Sequence, residues 1–423
     1  MRFTLILRRR EALREANQTI RWPLHLKQNA HHMTPGTNRA SGRADHPISR
    51  AVRAIVLGVA IIFLGSASVL AVTVRVTTWN LEWFPNGKPN ELPAAEQATR
   101  IAAAAAVLRP LNSDIILLQE VRDYDVCARL GEAIRPHTYT VAVCSAFKEP
   151  FQPGIGKQQV AILAKEPAQA AWSESWKSME GIDPPRGFAF AWFRIGGADV
   201  GVYSLHLKSN LIMRGDHATE AAKNIRKREV AVTQVLNHIR AVIAPSMPMV
   251  KSLVVGGDFN TNLDQPEFRD EKTLAKLTEG GFRNSMEGTP QLQRITHPGS
   301  GRYPDATFDY LFGANMISAR PQISPSQASD HYPVTCDFAM QATAPQRAPV
   351  TAALSPQRTQ NMATAPAQQF VRITQPVKIK IPYGETVLPR GLALAIVSRD
   401  ARTVTVKYLD GTQVIPIGST DLH

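Results

Sequence analysis

Asp258 and Asn260 are the residues whose type and spacing point most directly to chemistry. They follow an apolar, β-branched run at 252–255, which predicts a buried strand. Gly256 and Gly257 come between, and we expect them to let the chain turn tightly at the end of this strand. In an extended chain, residues two apart point to the same side. A carboxylate and an amide would therefore face one pocket at the carboxyl end of a strand, where α/β proteins commonly place catalytic groups.

Further polar clusters directly follow other β-rich runs, so we expect them to converge on one sheet edge. They are Asn80 with Glu82, Gln119 with Glu120, His206 with Lys208 and Asn210, Asp309, and Asp330 with His331. Carboxylate and amide oxygens suit a hard cation such as Mg²⁺. Histidines can move protons near neutral pH. The clusters together predict a site that holds such a cation and transfers protons.

The charge of the chain is unevenly distributed along its 423 residues, a length that allows two or three domains. The net charge is +13, but it divides into +8 for residues 1–71, zero for 72–340 and +5 for 341–423. Because the middle section is neutral, overall basicity is no argument that this section binds polyanions. Three cysteines in this length exclude a disulfide-dense scaffold.

The beginning of the chain predicts export. Residues 1–53 are basic, polar and predicted to be disordered, and residues 54–72 are apolar or small throughout. The small residues before a cut near Ala71 favour a signal peptide, with Met33 as an alternative start to Met1. The competing interpretation is an uncleaved membrane anchor, for which the segment is almost long enough. We therefore expect a periplasmic or secreted protein, or one anchored through residues 54–72.

Between residues 72 and 340 the pattern alternates between short strands and helices. Strands are predicted at 72–80, 114–120, 138–143, 160–164, 188–193, 199–207, 252–255, 307–312 and 333–340. Helices are predicted at 94–108, 216–242 and 271–277. The second helix carries Lys223, Arg226, Lys227 and Arg228, which we interpret as a solvated basic face.

The remainder of the chain predicts a linker followed by a small domain. Residues 341–370 are rich in Ala, Pro and Gln, and residues 371–423 return to a β pattern with an Asp410–Gly411 hairpin turn. We expect a separately folding, SH3-like β-barrel. Its basic residues suggest a polyanionic or cell-surface partner, with a solubilising appendage as the alternative. They are Lys378, Lys380, Arg390, Arg399, Arg402 and Lys407.

From Val74 to Phe338 the ordered set of motifs closely resembles the endonuclease/exonuclease/phosphatase superfamily, which has the deoxyribonuclease I-like fold. The resemblance implies an α/β fold, a four-layer sandwich of two packed mixed β-sheets flanked by helices, over residues 73–340. It also implies hydrolysis of phosphodiesters or phosphomonoesters in nucleic acids, phosphoinositides or sphingomyelin. Mg²⁺ is the implied cofactor, with Mn²⁺ and Ca²⁺ as alternatives.

The resemblance also assigns roles to individual residues. The implied metal residues are Asn80, Glu120 and Asp330: Glu120 matches the principal metal ligand, Asn80 lies beside the metal, and Asp330 belongs to the terminal Asp-His motif. Glu82 falls where some members place a further acidic group. Asp258 and Asn260 match the pair that orients the attacking water and the phosphate, and Asp309 matches the partner of His331. The implied phosphate contacts are Asn80, Arg186, His206 and Asn260. The implied catalytic set is His206, Asp258, Asn260, Asp309 and His331.

One departure from the family concerns the support of His206. Nuclease members often carry a Tyr and a Glu before the central strand, where this chain has no tyrosine and Gln158 takes the place of a histidine-supporting glutamate. Three functions follow: an exported nuclease or broad phosphodiesterase, an enzyme acting on phospholipid headgroups or small phosphoesters, and a non-catalytic surface module. The nuclease leads because Arg186 and the basic helix could meet a nucleic-acid backbone.

Export would also place the cysteines in an oxidising compartment. We therefore expect Cys127 and Cys144 to form a disulfide, with Cys336 free in a buried strand.

Overall fold

The computed structural model describes residues 71–148, 154–301, 303–341, 369–375, 377–381, 384–388, 392–408 and 411–422. The predicted segment 1–53, the apolar stretch as far as residue 70, and the predicted linker from residue 342 to 368 lie outside the described residues. Within the described ranges, no helix is long and apolar enough to cross a membrane.

The first of two large β-sheets has the strand order β11-β13-β1-β2-β4-β3, with β12 also paired to β13. Its strands are β1 (Ala71–Phe84), β2 (Ile115–Val121), β3 (Thr140–Cys144), β4 (Gln159–Ala164), β11 (Ile317–Ser318), β12 (Gln322–Ile323) and β13 (Val334–Gln341). β1 and β2 are parallel and the other neighbours are antiparallel, so the sheet is mixed, as expected.

The second sheet has the order β15-β16-β5-β6-β7-β8-β10-β9. Its strands are β5 (Ala170–Ser175), β6 (Gly187–Ile195), β7 (Ala198–His206), β8 (Ser252–Asp258), β9 (Arg283–Asn284), β10 (Asp309–Ala314), β15 (Val377–Ile381) and β16 (Gly384–Leu388). β7 and β8 are its parallel pair. β6 and β7 pair across Gly196 and Gly197, which both have positive φ.

Four α-helices of more than one turn accompany the sheets in the described part of the chain. They are α1 (Ala94–Leu108), α2 (Tyr124–Ala133), α3 (His217–His238) and α4 (Thr273–Glu279). α1 matches its predicted bounds, whereas α2 was not predicted. Asp123 caps α2 by accepting a hydrogen bond from the Val126 amide, and Asp216 caps α3 in the same way through the Thr219 amide.

The core has two parts, one on each face of the first sheet. In β2, Ile115 and Leu117 belong to the cluster that the two sheets share, whereas Ile116 and Leu118 belong to the cluster that includes α1 and α2. Side chains of a strand point alternately to opposite faces, so a strand covered on both faces is apolar without interruption. The uninterrupted apolar run at 115–118 therefore indicates a strand that is covered on both faces, as the layered sandwich requires.

The glycines before Asp258 have a different role from the predicted turn. β8 continues through Gly256 and Gly257 to Asp258, so the expectation of a turn there is wrong. A Cβ atom on Gly257 would lie 2.0 Å from the Leu205 carbonyl oxygen, and one on Gly256 would lie 2.6 Å from Leu311 Cδ2. Glycine is required because neighbouring strands and the facing side chains leave no room for a larger residue.

One of the basic residues on α3 is not solvated. The side chains of Lys223 and Arg226 are about half exposed, as predicted, whereas Arg228 has 0% side-chain exposure. Arg228 pairs with Glu271, which is itself 1% exposed, at 2.6 Å. The interpretation of Arg228 as part of a solvated face is therefore wrong, because the helix turns this position toward the segment before α4.

The part of the chain after residue 368 forms an all-β segment, as predicted, but this segment packs on the two large sheets. β14 (Phe370–Arg372), β17 (Ala393–Arg399), β18 (Thr403–Tyr408) and β19 (Gly411–Pro416) form a four-stranded antiparallel sheet. The hairpin of β15 and β16 instead extends the second large sheet through β5. Val404, Val406 and Tyr408 share the same hydrophobic core as the sandwich. The segment therefore packs against the sandwich in the folded chain, and its separate folding as an SH3-like barrel stays a prediction.

Tyr408 provides a specific test of this attachment. Its hydroxyl accepts a hydrogen bond from the Ala171 amide at 2.8 Å and donates one to the Ala171 carbonyl at 3.0 Å, both buried. We expect Tyr408→Phe to lower the free energy of unfolding by about 1–3 kcal/mol, because it removes these two buried hydrogen bonds. Urea titration measures this loss. Turnover of a small phosphodiester should not change, and an unchanged unfolding midpoint would contradict a stabilising attachment.

The three cysteines are free thiols in the structure, and all are buried. The Cys127 and Cys144 side chains contact each other through a hydrogen bond, and burial followed by this contact raises the pKa of Cys127. The two residues are thus neighbours without a bond, and the expected disulfide is absent from this structure.

Candidate active site

Strand register in the second sheet brings three of the predicted residues together. The parallel pairing of β7 with β8 places His206 beside Asp258, and the antiparallel pairing of β8 with β10 places Asp309 opposite Asp258. Asp258 therefore occupies the middle of a row of three functional residues. All three side chains are buried. Their convergence confirms that the polar ends of these strands share one sheet edge.

The first sheet contributes Asn80 and Glu120. Asn80 pairs with Gln119 across β1 and β2, and the register shifts at the next residues on both sides of β2. Glu120 lies in this irregularity with φ of 58°, so the local bulge re-aims its side chain. The Asn80 amide donates to Asp258 at 3.0 Å and to Glu120 at 3.4 Å. Asn80 thus links the carboxylates of the two sheets.

His331 and Asp309 form the shortest contact between charged groups at this edge. His331 Nδ1 lies 2.8 Å from Asp309 Oδ2, and both side chains are buried. The backbone carbonyl of His331 accepts a hydrogen bond from Trp79 Nε1, and its amide donates to Ser329 Oγ. The other ring nitrogen, Nε2, lies 3.9 Å from Asp258 Oδ2. The imidazole is therefore fixed on one side and faces the central carboxylate on the other.

Asn260 completes the Asp258 environment through two contacts. Its backbone amide donates to Asp258 Oδ1 at 2.9 Å, and its side-chain amide donates to Asp258 Oδ2 at 3.0 Å. Asn260 is in the left-handed region, with φ of 52°, so the chain bends back rather than staying extended. Asp258 and Asn260 contact each other as predicted, but a bend at Asn260 brings them together rather than the expected alternation along an extended strand.

His206 lies between the carboxylates of both sheets. Its Nε2 is 3.6 Å from Glu120 Oε1 and 3.6 Å from Asp258 Oδ2. Its Nδ1 is buried and has no hydrogen-bond partner among the described residues, so Gln158 does not support the ring. The amide oxygen of Gln158 instead accepts a hydrogen bond from Arg186. Gln158 takes the place of the glutamate found in nuclease members, and His206 therefore has no carboxylate partner at Nδ1.

Arg186 is held beside His206 by backbone groups. Its guanidinium donates to the His206 carbonyl at 3.2 Å and to the Leu207 carbonyl at 2.7 Å. The residue has φ of 71°. The structure therefore places this arginine next to the site, as its assignment to phosphate requires.

Left-handed backbone at non-glycine residues is concentrated at this site. Five of the eight such residues in the described ranges are Glu82, Trp83, Glu120, Arg186 and Asn260. Each conformation of this kind costs on the order of 1–3 kcal/mol and persists only where the surroundings enforce it. At this site, the directions of the side chains are therefore maintained at a cost in backbone conformational energy.

Burial and neighbouring charge shift the acid–base properties of the three central groups in different directions. Burial, followed by the charge of Asp309, raises the pKa of Asp258 to about 7, against lowering contributions from His331 and from hydrogen bonds. Burial lowers the pKa of His331, but the charges of Asp309 and Asp258 outweigh it and raise that pKa to about 10. Burial, Arg186 and His331 keep the pKa of His206 well below its usual value. The site therefore pairs a cationic imidazole with a neutral one.

The residues fit a hard divalent cation through their chemistry. Glu120 offers carboxylate oxygens, one of which also accepts a hydrogen bond from the Trp83 amide at 3.0 Å, and Asn80 adjoins it. Two further groups have spacing that suits a metal ion: His297, Asp330 and His331, and Asp258, Asp309 and His331. Asp330 belongs to the first of these groups and lies 3.9 Å from His297 Nε2, and its assignment as a metal ligand together with Glu120 stays a prediction.

Three nearby residues were not assigned roles from the sequence. The His297 ring packs on His331 with their centroids 4.8 Å apart. Burial, and then Arg186, lowers the pKa of Lys208 to about 8. Asn210 donates a hydrogen bond to the Asn260 carbonyl. His297 follows no predicted strand, so nothing in the local pattern distinguished it from an ordinary loop histidine.

Fold and site together define a two-sheet α/β sandwich with a cluster of carboxylate, amide and histidine side chains at one edge. Residues 77–331 match the Endonuclease/Exonuclease/phosphatase family, and the chain belongs to this family. Members of the family are generally hydrolases that act on phosphoester bonds. A comparison with curated proteins gave no match.

Solved structures with similar architecture include three proteins of low sequence identity. TDP2 from Caenorhabditis elegans is 17% identical, with a TM-score of 0.44 and coverage of 68% of this chain and 81% of that one. A family protein from Bacteroides thetaiotaomicron is 14% identical, with a TM-score of 0.47 and coverage of 64% and 98%. A third, from Beutenbergia cavernae, is 16% identical, with a TM-score of 0.47 and coverage of 81% and 89%.

Proposed function

We propose that this protein is a divalent-metal-dependent phosphodiesterase of the nuclease type, in which water attacks the phosphorus. The observation that carries the proposal is the buried linkage of Asn80, Glu120 and Asp258 beside the His331–Asp309 pair. Hydrolysis of a phosphodiester needs stabilisation of the charge that develops on the phosphoryl group, together with a water held in line. This site offers groups for both tasks on opposite sides of Asp258.

Some of the side chains are placed to act on the attacking water, and others are placed to contact the phosphate. Asp258 and His331 Nε2 are 3.9 Å apart, and each is fixed by another partner, so together they can orient a water. Asp258, whose pKa is raised to about 7, is the group of the two that can take up its proton. His206 and Arg186 are placed to contact the phosphate oxygens and the leaving group, because Arg186 is anchored on the His206 and Leu207 carbonyls. Glu120 and Asn80 would hold Mg²⁺, with Mn²⁺ and Ca²⁺ as alternatives. The bound cation supplies charge neutralisation at the phosphate.

The preference for nucleic acid rests on Arg186 and the exposed part of α3. Lys223 and Arg226 are exposed on this helix, and Lys227 is close enough to Lys208 to affect its pKa. Arg228 is buried and contributes nothing to such a surface. A nucleic-acid backbone would meet these cations next to the site. A phospholipid headgroup is the alternative substrate.

A substrate panel tests the proposal directly. Purified protein is assayed on DNA, RNA, a phosphoinositide and bis-p-nitrophenyl phosphate, with Mg²⁺ and then with EDTA. We expect cleavage of the nucleic acids and of the chromogenic diester in Mg²⁺ and its loss in EDTA. Turnover of the phosphoinositide alone would establish the lipid alternative. Full activity in EDTA would contradict metal dependence.

We also propose export, on the basis of the apolar segment 54–72 and its small residues near Ala71. Cell fractionation with N-terminal sequencing should find a mature chain that begins near Val72. An uncleaved membrane-bound product would support an anchor instead, and a full-length cytoplasmic product would exclude both.

A further inference from the structure

The backbone of Asn260 is held by a side chain outside the catalytic set. Asn210 Nδ2 donates a hydrogen bond to the Asn260 carbonyl oxygen at 2.7 Å. Asn260 has a left-handed backbone, which a non-glycine residue keeps only where its surroundings enforce it. Its side-chain amide also contacts the Leu207 carbonyl at 3.3 Å. The contact from Asn210 is therefore one of the constraints on the conformation that points Asn260 at Asp258.

Asn210 is itself oriented by Arg228. Arg228 Nη1 donates to Asn210 Oδ1 at 2.8 Å and to the Lys208 carbonyl at 3.0 Å. A guanidinium only donates hydrogen bonds, so the oxygen of the Asn210 amide must face Arg228. The nitrogen of the same amide must then face the other way, toward Asn260. The contact with Arg228 thus fixes which end of Asn210 meets the active-site loop.

Arg228 has little freedom to move. Its Nε and Nη2 donate to the two carboxylate oxygens of Glu271 at 2.8 and 2.6 Å, and its side chain is fully buried. The guanidinium also lies 5.7 Å from the ring centroid of Phe268. A bidentate contact of this kind fixes the plane of the guanidinium as well as its position. The chain of hydrogen bonds from Glu271 through Arg228 and Asn210 to Asn260 is therefore rigid at its Glu271 end.

We propose that Arg228 and Asn210 are positioning residues that hold Asn260 in its active conformation. Neither residue touches Asp258; they act through the Asn260 backbone. The inference rests on the proposed hydrolytic function of the site. It adds that the segment between β7 and α3 sets the rate by controlling the geometry of Asn260 rather than by contact with the phosphate.

Asn210→Asp separates this role from simple structural support. The aspartate keeps an oxygen for Arg228 but loses the N–H donor, and it places an oxygen against the Asn260 carbonyl. We expect kcat for bis-p-nitrophenyl phosphate to fall about tenfold, which corresponds to about 1.4 kcal/mol and is the scale of one lost hydrogen bond. KM and the melting temperature should stay close to those of the wild type.

A matched control lies on α3. Asn237 is exposed and accepts a hydrogen bond from Arg240 at 2.7 Å, so Asn237→Asp makes the same chemical change to an arginine–asparagine contact away from Asn260. This variant should keep wild-type kcat. In an Asn260→Ala background, Asn210→Asp should cause little further loss, because two residues acting through one another are not additive. A further tenfold loss in that background would overturn the proposal.

A crystal structure of the Asn210→Asp protein gives a readout that does not depend on activity. We expect Asn260 to leave its left-handed conformation or its side chain to move away from Asp258. An unchanged Asn260 together with wild-type kcat would refute the positioning role. If the wild type hydrolyses nothing in the substrate panel, the proposed function fails, while the crystal structure still decides whether Asn210 controls Asn260.

Discussion

Replacing His331 with alanine should lower kcat for a phosphodiester by about 10²- to 10⁴-fold, the range expected when a group that transfers protons or stabilises developing charge is lost. The imidazole is buried, is held 2.8 Å from Asp309 and faces Asp258, so the substitution removes a group with a fixed position beside the central carboxylate. Asp309→Asn should be milder, because it misorients the ring without deleting it. The double variant should be little worse than His331→Ala alone, since the two residues act as a unit.

The proposed metal dependence divides the remaining site variants into two kinds. Glu120→Gln removes the proposed main charged ligand, so raised Mg²⁺ should recover part of its lost activity. Asp258→Asn and Asn260→Ala disturb the positioning of water and phosphate, and extra Mg²⁺ should not rescue them. His137→Ala is the control, because His137 is exposed and distant in sequence from every site residue. Wild-type kcat in His331→Ala would end this mechanism, provided that thermal melting shows every variant to be folded.

The largest effect on stability is expected from Arg228→Met. The substitution leaves Glu271 as an unpaired carboxylate with 1% exposure, and breaking a buried pair in this way costs about 3–5 kcal/mol. Urea unfolding followed by tryptophan fluorescence measures the loss. Arg228→Met/Glu271→Met should recover most of it, because the double variant removes both buried charges.

Arg226→Met is the matched control for this prediction. Arg226 lies on the same helix with 44% side-chain exposure and pairs with Glu180, which is 67% exposed. Solvent screening limits such a pair to about 0–1 kcal/mol. Equal losses for Arg226→Met and Arg228→Met would show that burial of the Arg228 pair has no energetic consequence.

Local sequence pattern was sufficient where a short run determines both structure and chemistry. The β-branched runs before Asn80 and Asp258 predicted strands, and the polar residues at their ends do meet at one edge. Asp309 reaches the same edge from the opposite direction, because it begins the antiparallel strand β10 instead of following a strand as expected. The ordered motifs then separated Glu120 and His331 from ordinary solvated residues. The strand predictions depended only on neighbours within a few positions, whereas the separation of Glu120 and His331 depended on the order of the motifs from Val74 to Phe338.

Features that depend on distant contacts could not be predicted in this way. Arg228 resembles its exposed neighbours on α3, and only the position of Glu271 in the fold makes it a buried residue. The left-handed backbone of Glu120 arises from a register shift between strands, which has no signature in residue type. Gly257 was interpreted as a turn because a glycine gives the same signal whether it permits a bend or a close approach of strands.

The pairing of β16 with β5 has a consequence for association between molecules. Without the hairpin, β5 would be the margin of the second sheet, with a row of backbone donors and acceptors open to another chain. The protein covers this margin with a strand from more than 200 residues further along its own sequence. Before that strand arrives, newly made chains can pair with each other along β5, so refolding yield should fall with protein concentration.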